Sequence, residues 1–263
     1  MTKRMYLGAI VALVAATILA ALPAQVAAED FLRNVTHMDG FEVMGNKQPA
    51  RDDTTSFWIG TDRMAMVKGG KVAALLDAKG GLLYVFDNAN NQYSSIKISD
   101  ISATVDSISA AANSNDTTEE GQQKKMIANM MASTKVTVTP TQETKKIRNW
   151  TARKYLIDQS MPMIDTKITA WTTKDIKIDY TQIQLLTNAF KASTPGFGKV
   201  LEEFKKINGL PVSITSESAV MGQTVKTTTD LIEYAQKPAP KGIFEIPTGY
   251  KQVESLPMNM RGM

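Results

Sequence analysis

The chain has 263 residues, a formal net charge of +4, one histidine and no cysteine. Without thiols there are no disulfides, no Cys-ligated zinc, no Fe–S cluster and no thiol catalysis, and one histidine cannot build a His-based metal site within one chain. The charge is slight for this length, and nothing in it marks a nucleic-acid surface.

Lys3 and Arg4 precede an apolar run from Met5 to Leu22 that stops at Pro23, the layout of a secretory signal peptide. Val26-Ala27-Ala28 supplies the small residues of a cleavage site, so cleavage is expected after Ala28 and the mature chain is read as a secreted, periplasmic protein. No Cys stands nearby to accept a lipid, so the mature chain is expected to be soluble or peripheral rather than lipid-anchored. A retained membrane anchor is the alternative, because the run lies near the lower length limit for crossing a bilayer. Residues 29–39 read as an N-terminal segment and 40–250 as a single domain with a helical insert at about 101–131; 251–263 read as a loose C-terminal tail.

From Gly40 onward, short β-branched and aromatic segments divided by Gly, Asn and Asp predict an antiparallel meander. Strands are predicted at Phe41 to Met44, Thr54 to Ile59, Arg63 to Lys68, Lys71 to Asp77, Leu82 to Asp87 and Gln92 to Ile98. Gly60-Thr61-Asp62, Gly69-Gly70 and Lys79-Gly80-Gly81 supply the turns. The alternation fails between Asp100 and Gly121, and a helix is predicted at Glu119 to Met131 with Met126, Ile127, Met130 and Met131 on one side, an insert suited to covering one sheet face.

Strands resume at Lys135 to Thr139, Thr151 to Asp158 and Asp165 to Thr173. Helices are predicted at Tyr180 to Lys191 and Lys199 to Ile207, the second closed by Asn208-Gly209. Two long strands, Leu210 to Val220 and Gln223 to Ala235, form a hairpin about Met221-Gly222, and a short apolar piece follows at Ile243 to Ile246. The class is α+β, one curved antiparallel sheet with a few helices.

No residue cluster compels a reaction. His37 has no nucleophile turn near it and reads as a surface histidine. Asp52-Asp53, Glu119-Glu120 and Glu202-Glu203 are adjacent pairs whose side chains diverge on a strand or helix, so they read as solvated charge. No phosphate-binding loop is present, because Gly69-Gly70 and Gly80-Gly81 sit in hairpins. The chain is therefore read as a non-enzyme with no cofactor and no metal.

Methionine is abundant, with 15 residues that include Met64-x-Met66, Met161-x-Met163 and Met258-x-Met260. Thioethers bind Cu(I), which makes a copper-binding protein a minor alternative. The other use of methionine is to line an adaptable apolar cavity, and Trp58, Met64, Met66, Tyr84, Phe86, Tyr93, Met126, Met130 and Trp171 are the candidate lining. The same residues also fit an ordinary core.

Four stretches carry a family resemblance. They are Glu143-Thr144-Lys145-Lys146-Ile147 leading through Trp150 to Arg153-Lys154-Tyr155, then Ala170-Trp171-Thr172-Thr173-Lys174-Asp175-Ile176, then Gly209-Leu210-Pro211-Val212, and lastly Phe244-Glu245-Ile246-Pro247-Thr248-Gly249-Tyr250. In this order they resemble an exported bacterial family known only as a domain of unknown function, related to the LolA/LolB-type periplasmic lipoprotein carriers and receptors. The chain departs from the family at Ala152, where relatives often carry Cys, and in its long insert after Asp100.

The resemblance implies an incomplete β-barrel of the LolA-like type with capping helices over a concave apolar side that receives acyl chains. Arg63 resembles an Arg in the early strands of such proteins, and a surface ion pair explains it equally well. The expected function is periplasmic binding of a lipid or lipoprotein acyl chain in a half-barrel cavity. Expected partners are that ligand, a protein of the cell envelope and peripheral contact with a membrane, with no nucleic acid. A structural or interaction module of the envelope, holding no ligand, is the alternative.

Overall fold

A computed structural model describes residues 28–254 except 44, 112–114, 116, 163, 179–196 and 221. Its strands are β1 (Glu29–Met38), β2 (Phe41–Val43), β3 (Asn46–Gln48), β4 (Arg51–Ile59), β5 (Arg63–Lys68), β6 (Lys71–Asp77), β7 (Leu82–Asp87), β8 (Gln92–Lys97), β9 (Lys135–Ile147), β10 (Trp150–Met161), β11 (Ile164–Thr173), β12 (Leu210–Val220), β13 (Gln223–Lys237) and β14 (Lys251–Gln252). The helices are α1 (Ile98–Ala111), α2 (Glu119–Ser133) and α3 (Phe197–Phe204). Twelve strands form one large curved sheet in the order β14-β8-β7-β6-β5-β4-β1-β13-β12-β11-β10-β9, antiparallel throughout except for β14 beside β8, while β2 and β3 form a small hairpin apart.

Turn chemistry explains the regularity of the first arm. Gly69 and Gly70 both take positive φ, 57° and 76°, and close a two-residue turn whose twist matches the flanking strands. The next two turns share one design. Asp77 accepts the backbone N–H of Gly80 and Asp87 accepts those of Ala89 and Asn90, and Gly81 and Asn91 then take the left-handed conformation before the following strand.

Curvature follows from connectivity. β8 and β9 are consecutive strands near opposite ends of the sheet, and only residues 98–134 join them. A flat sheet would hold them about 50 Å apart at ~4.8 Å per strand. The two connecting helices pack against each other, and α1 touches β8 while α2 touches β10, so the sheet bends to bring its ends toward one another. Among the described residues β9 has no second strand partner, and the sheet stays open.

Of residues 29–39, set apart as an N-terminal segment by the sequence, Glu29–Met38 form β1 at the centre of the sheet, paired with both β4 and β13. The strand predicted at Lys135 to Thr139 runs on to Ile147, α1 falls at the start of the predicted helical insert, where no separate helix had been delimited, and the apolar piece at Ile243 to Ile246 begins in a turn. The helix predicted at Tyr180 to Lys191 lies outside the described residues. Three core clusters result. One, with Leu32, Ile59, Ala152, Val212 and Leu231, draws on both arms of the sheet and so marks its concave side. Another joins Phe31, Trp58, Ala65, Leu75 and Phe86 to residues of the C-terminal segment, and the third joins Val138, Tyr155, Ile157 and Ala170.

A buried polar knot fixes the entry to β12. The Thr173 hydroxyl donates to the Thr151 carbonyl, the Thr172 hydroxyl donates to the Asn208 carbonyl, and the Asn208 N–H donates to the hydroxyl of buried Tyr155. Gly209 is required there. Its φ is +107°, and a Cβ would stand 2.3 Å from the Thr173 carbonyl oxygen.

Candidate ligand-binding face

Register assigns each residue of the β4–β8 arm to a face, because alternate residues of a strand point to opposite sides. Leu32, Phe57, Met66, Ala74, Val85 and Ser94 are successive cross-strand neighbours, as are Ile59, Met64, Leu76, Leu83 and Ile96. Both rows lie on the concave side that holds the shared core cluster. The opposite, convex side carries Phe31, Trp58, Ala65, Leu75, Tyr84 and Ser95, with Phe86 beside Tyr93.

The nine predicted lining residues do not converge on one cavity. Trp58, Tyr84, Phe86 and Tyr93 lie on the convex side, where Ile243, Phe244 and Tyr250 of the C-terminal segment cover them and Tyr250 meets Phe86 edge-on at 5.9 Å. Met64 and Met66 lie on the concave side, and Met64 packs against the shared cluster. Trp171 joins that cluster's margin, with the Lys145 ammonium 4.0 Å above its ring. Met126 on α2 is 66% exposed, whereas Gly121 and Ala128, seven residues apart, are buried among the described side chains of that helix. α2 lies against α1 and touches β10, and small buried residues permit close approach of packed elements. Of Met130 the described structure gives only its place in α2.

Sequence reasoning missed Phe57, Ala74, Leu83, Val85 and Ile96 on the concave face. The signal was the unbroken apolar character of Val72 to Leu76 and Leu82 to Phe86, which marks strands that are covered on both faces rather than one. Leu76 in the middle of the row is buried, while Met64, Met66, Ala74, Leu83 and Val85 around it are half-buried and Ile96 is 39% exposed, so this concave strip presents apolar surface.

The concave face of the other arm is different. Val138, Tyr155, Ile157 and Ala170 are buried there, with Ile207, just beyond α3, packed against them. Glu203 of α3 accepts the N–H of Val138 at 2.7 Å, satisfying a donor on the edge strand β9, and its ion pair with Lys206 holds its carboxyl below the usual range. Toward the far end, hydroxyls pair across the strands: Thr36 with Thr229 and Thr166 with Ser218, each at 2.9 Å.

Two open depressions lie outside the apolar strip. One of about 450 Å³ is lined by Arg148, Asn149, Trp150, Ile232, Glu233 and Tyr234, and the other, of about 550 Å³, lies beside the β2–β3 hairpin. In the first, burial and a hydrogen bond donated to Asp30 push the Tyr234 phenol up to about 12, so it stays protonated. Among the described residues no three or more His, Cys, Asp or Glu side chains cluster to hold a metal, and no helix is long and apolar enough to cross a membrane. His37 is half-exposed between Asp52 at 2.6 Å and Asp39 at 3.1 Å.

No family model and no curated protein matches the chain.

Proposed function

We propose that this chain is an exported, non-catalytic protein of the periplasm that binds an apolar ligand, a lipid or lipoprotein acyl chain, against the concave face of the β4–β8 arm. One observation carries the reading. β5, β6 and β7 are apolar on both faces; the convex face is covered by the C-terminal segment, while Met64, Met66, Ala74, Leu83 and Val85 opposite are only half-buried. An acyl chain laid along that strip would gain about 0.8 kcal/mol per methylene removed from water. A LolA-like half-barrel, with α1 and α2 spanning its open seam, is the architecture this function requires. Export is part of the same reading, and β1 opens at Glu29, the residue that cleavage after Ala28 would make the N-terminus.

The test is lipid extraction and native mass spectrometry after mild purification, alongside the Met66→Glu/Val85→Glu double variant. The expected result is a copurifying acyl species that the double variant loses while its circular dichroism is kept. A wild-type protein that is always empty and has no affinity for acyl probes would end the reading. The filled concave face of the β9–β12 arm favours a second one, an envelope interaction module that holds no ligand. Crosslinking in cells separates the two, since a carrier is recovered with lipid as well as with a partner.

A further inference from the structure

We infer that the depression between the β9–β10 turn and β13 is a binding site for an oxyanion headgroup, a phosphate carried on an apolar body, with Arg148 as its cationic ligand. The inference is independent of what occupies the concave strip. It begins with the turn. Ile147 and Trp150 are cross-strand partners, so Arg148 and Asn149 alone form the loop. A two-residue hairpin with positive φ at its first position normally has glycine there, yet Arg148 takes φ 51°. Asn, which tolerates that conformation better than Arg, stands unused for it at the next position. A long charged side chain is thus kept where a small or amide residue would relieve the backbone, and backbone strain retained in this way points to function.

The surroundings supply the rest of a site. Trp150 and Tyr234 give it aromatic walls and Ile232 an apolar one, and its volume of about 450 Å³ suits a small headgroup rather than a whole lipid. Arg148 forms no ion pair among the described residues. The one carboxylate in the lining is already neutralised, because Glu233 is held by Arg33 at 3.1 Å and Lys237 at 2.9 Å. The Tyr234 hydroxyl is likewise committed to Asp30 at 2.9 Å. The uncommitted charge is therefore a guanidinium, whose planar fork matches phosphate or carboxylate oxygens two at a time.

The test uses the full chain with 5-fluorotryptophan, the Trp150 signal being assigned through Trp150→Phe. Short-chain phosphatidic acid, below its micelle concentration, is titrated against inorganic phosphate and short-chain phosphatidylcholine. The expected result is a saturable shift of the Trp150 resonance with phosphatidic acid, at least tenfold weaker binding of phosphatidylcholine, and at least tenfold weaker binding of phosphatidic acid by Arg148→Gly. Because glycine suits the positive φ, that variant is also expected to melt higher than the parent, a gain in stability coupled to a loss of binding that a structural role for Arg148 does not produce. Inorganic phosphate binding as tightly as the lipid, with the same dependence on Arg148, would keep the site and assign it to free oxyanions. An unmoved Trp150 signal, or an Arg148→Gly variant that binds as well as the parent, overturns the inference.

Discussion

In the β4–β8 arm the buried aromatic row lies on the convex face beneath residues 239–250, while the concave face buries Ile59 and Leu76 but leaves Met64, Met66, Ala74, Leu83 and Val85 half-buried; in the β9–β12 arm the concave face is filled beside α3 and the convex face is mostly polar. The strands announce this difference. β9 and β11 alternate, with Val136, Val138, Ile168 and Ala170 inward and Lys135, Thr137, Lys167 and Thr169 outward, which suits a sheet that buries one side. Along the convex side Asp158, Lys167, Glu217 and Lys226 are successive cross-strand neighbours of opposite sign, a solvated ladder. β6 and β7 do not alternate. One continuous sheet therefore contains an arm that is complete by itself and an arm that needs two covers, of which the chain's C-terminal segment supplies one.

The largest expected effect comes from breaking the self-sufficient arm. Tyr155 is 2% exposed, and its hydroxyl accepts the Asn208 N–H at the head of β12. Tyr155→Ala removes a buried ring and leaves that donor unpaired, so a loss of about 3–5 kcal/mol is expected in denaturant unfolding. Hydrogen exchange should rise first in β9–β12. If β4–β8 loosens to the same degree, the arms are one cooperative unit and the comparison fails.

Phe244→Ala tests the other arm and should be milder. Phe244 is half-buried against the Phe31–Trp58 cluster, so truncation is expected to cost about 1–2 kcal/mol, below the range for a fully buried ring. The effect should be local, with faster exchange in β4–β7, a red-shifted Trp58 emission and little change in β9–β12. Equal loosening of both arms would show that the C-terminal segment stabilises the sheet generally and is not a cover for one face.

Legibility in the sequence followed how local the determinants are. The limits of β5, β6 and β7 were readable to the residue, because Gly69-Gly70 and the Asp77 and Asp87 turns are set by neighbours in the chain. β1 was not, since Glu29 to Met38 is mostly polar and its strand character comes from pairing with Arg51–Ile59 and Thr227–Lys237, the latter some two hundred residues away. α1 was legible only as part of a helical insert, its limits blurred by its Ser and Thr content, although Ile98, Ile101, Val105 and Ile108 keep helical spacing. The candidate face was half legible. Methionine and aromatic residues were picked out, but deciding which of them share a side requires the register, and parity separated Met66 from Tyr84. Arg148 could not be singled out at all, because its φ is visible only in three dimensions.

The smallest expected effect lies in β1, the strand that joins the two arms. His37 pairs across to Asp52 on β4 and to Thr228 on β13. Its pKa is raised above the ordinary 6.5, mainly by the hydrogen bond to Asp52 and further by the charges of Asp52 and Asp39. The folded state therefore binds the imidazole proton more tightly than the unfolded chain does, and the sign follows: this contribution to stability is complete below pH 6.5 and is lost as pH rises through the folded-state value. The group is exposed and screened by water, so the change should be small and should shrink further with salt. Melting curves between pH 5 and pH 8 should show a shallow decline in the parent that is absent in His37→Gln. A decline of the same size in His37→Gln would assign it to another group and leave the joint between the arms insensitive to pH.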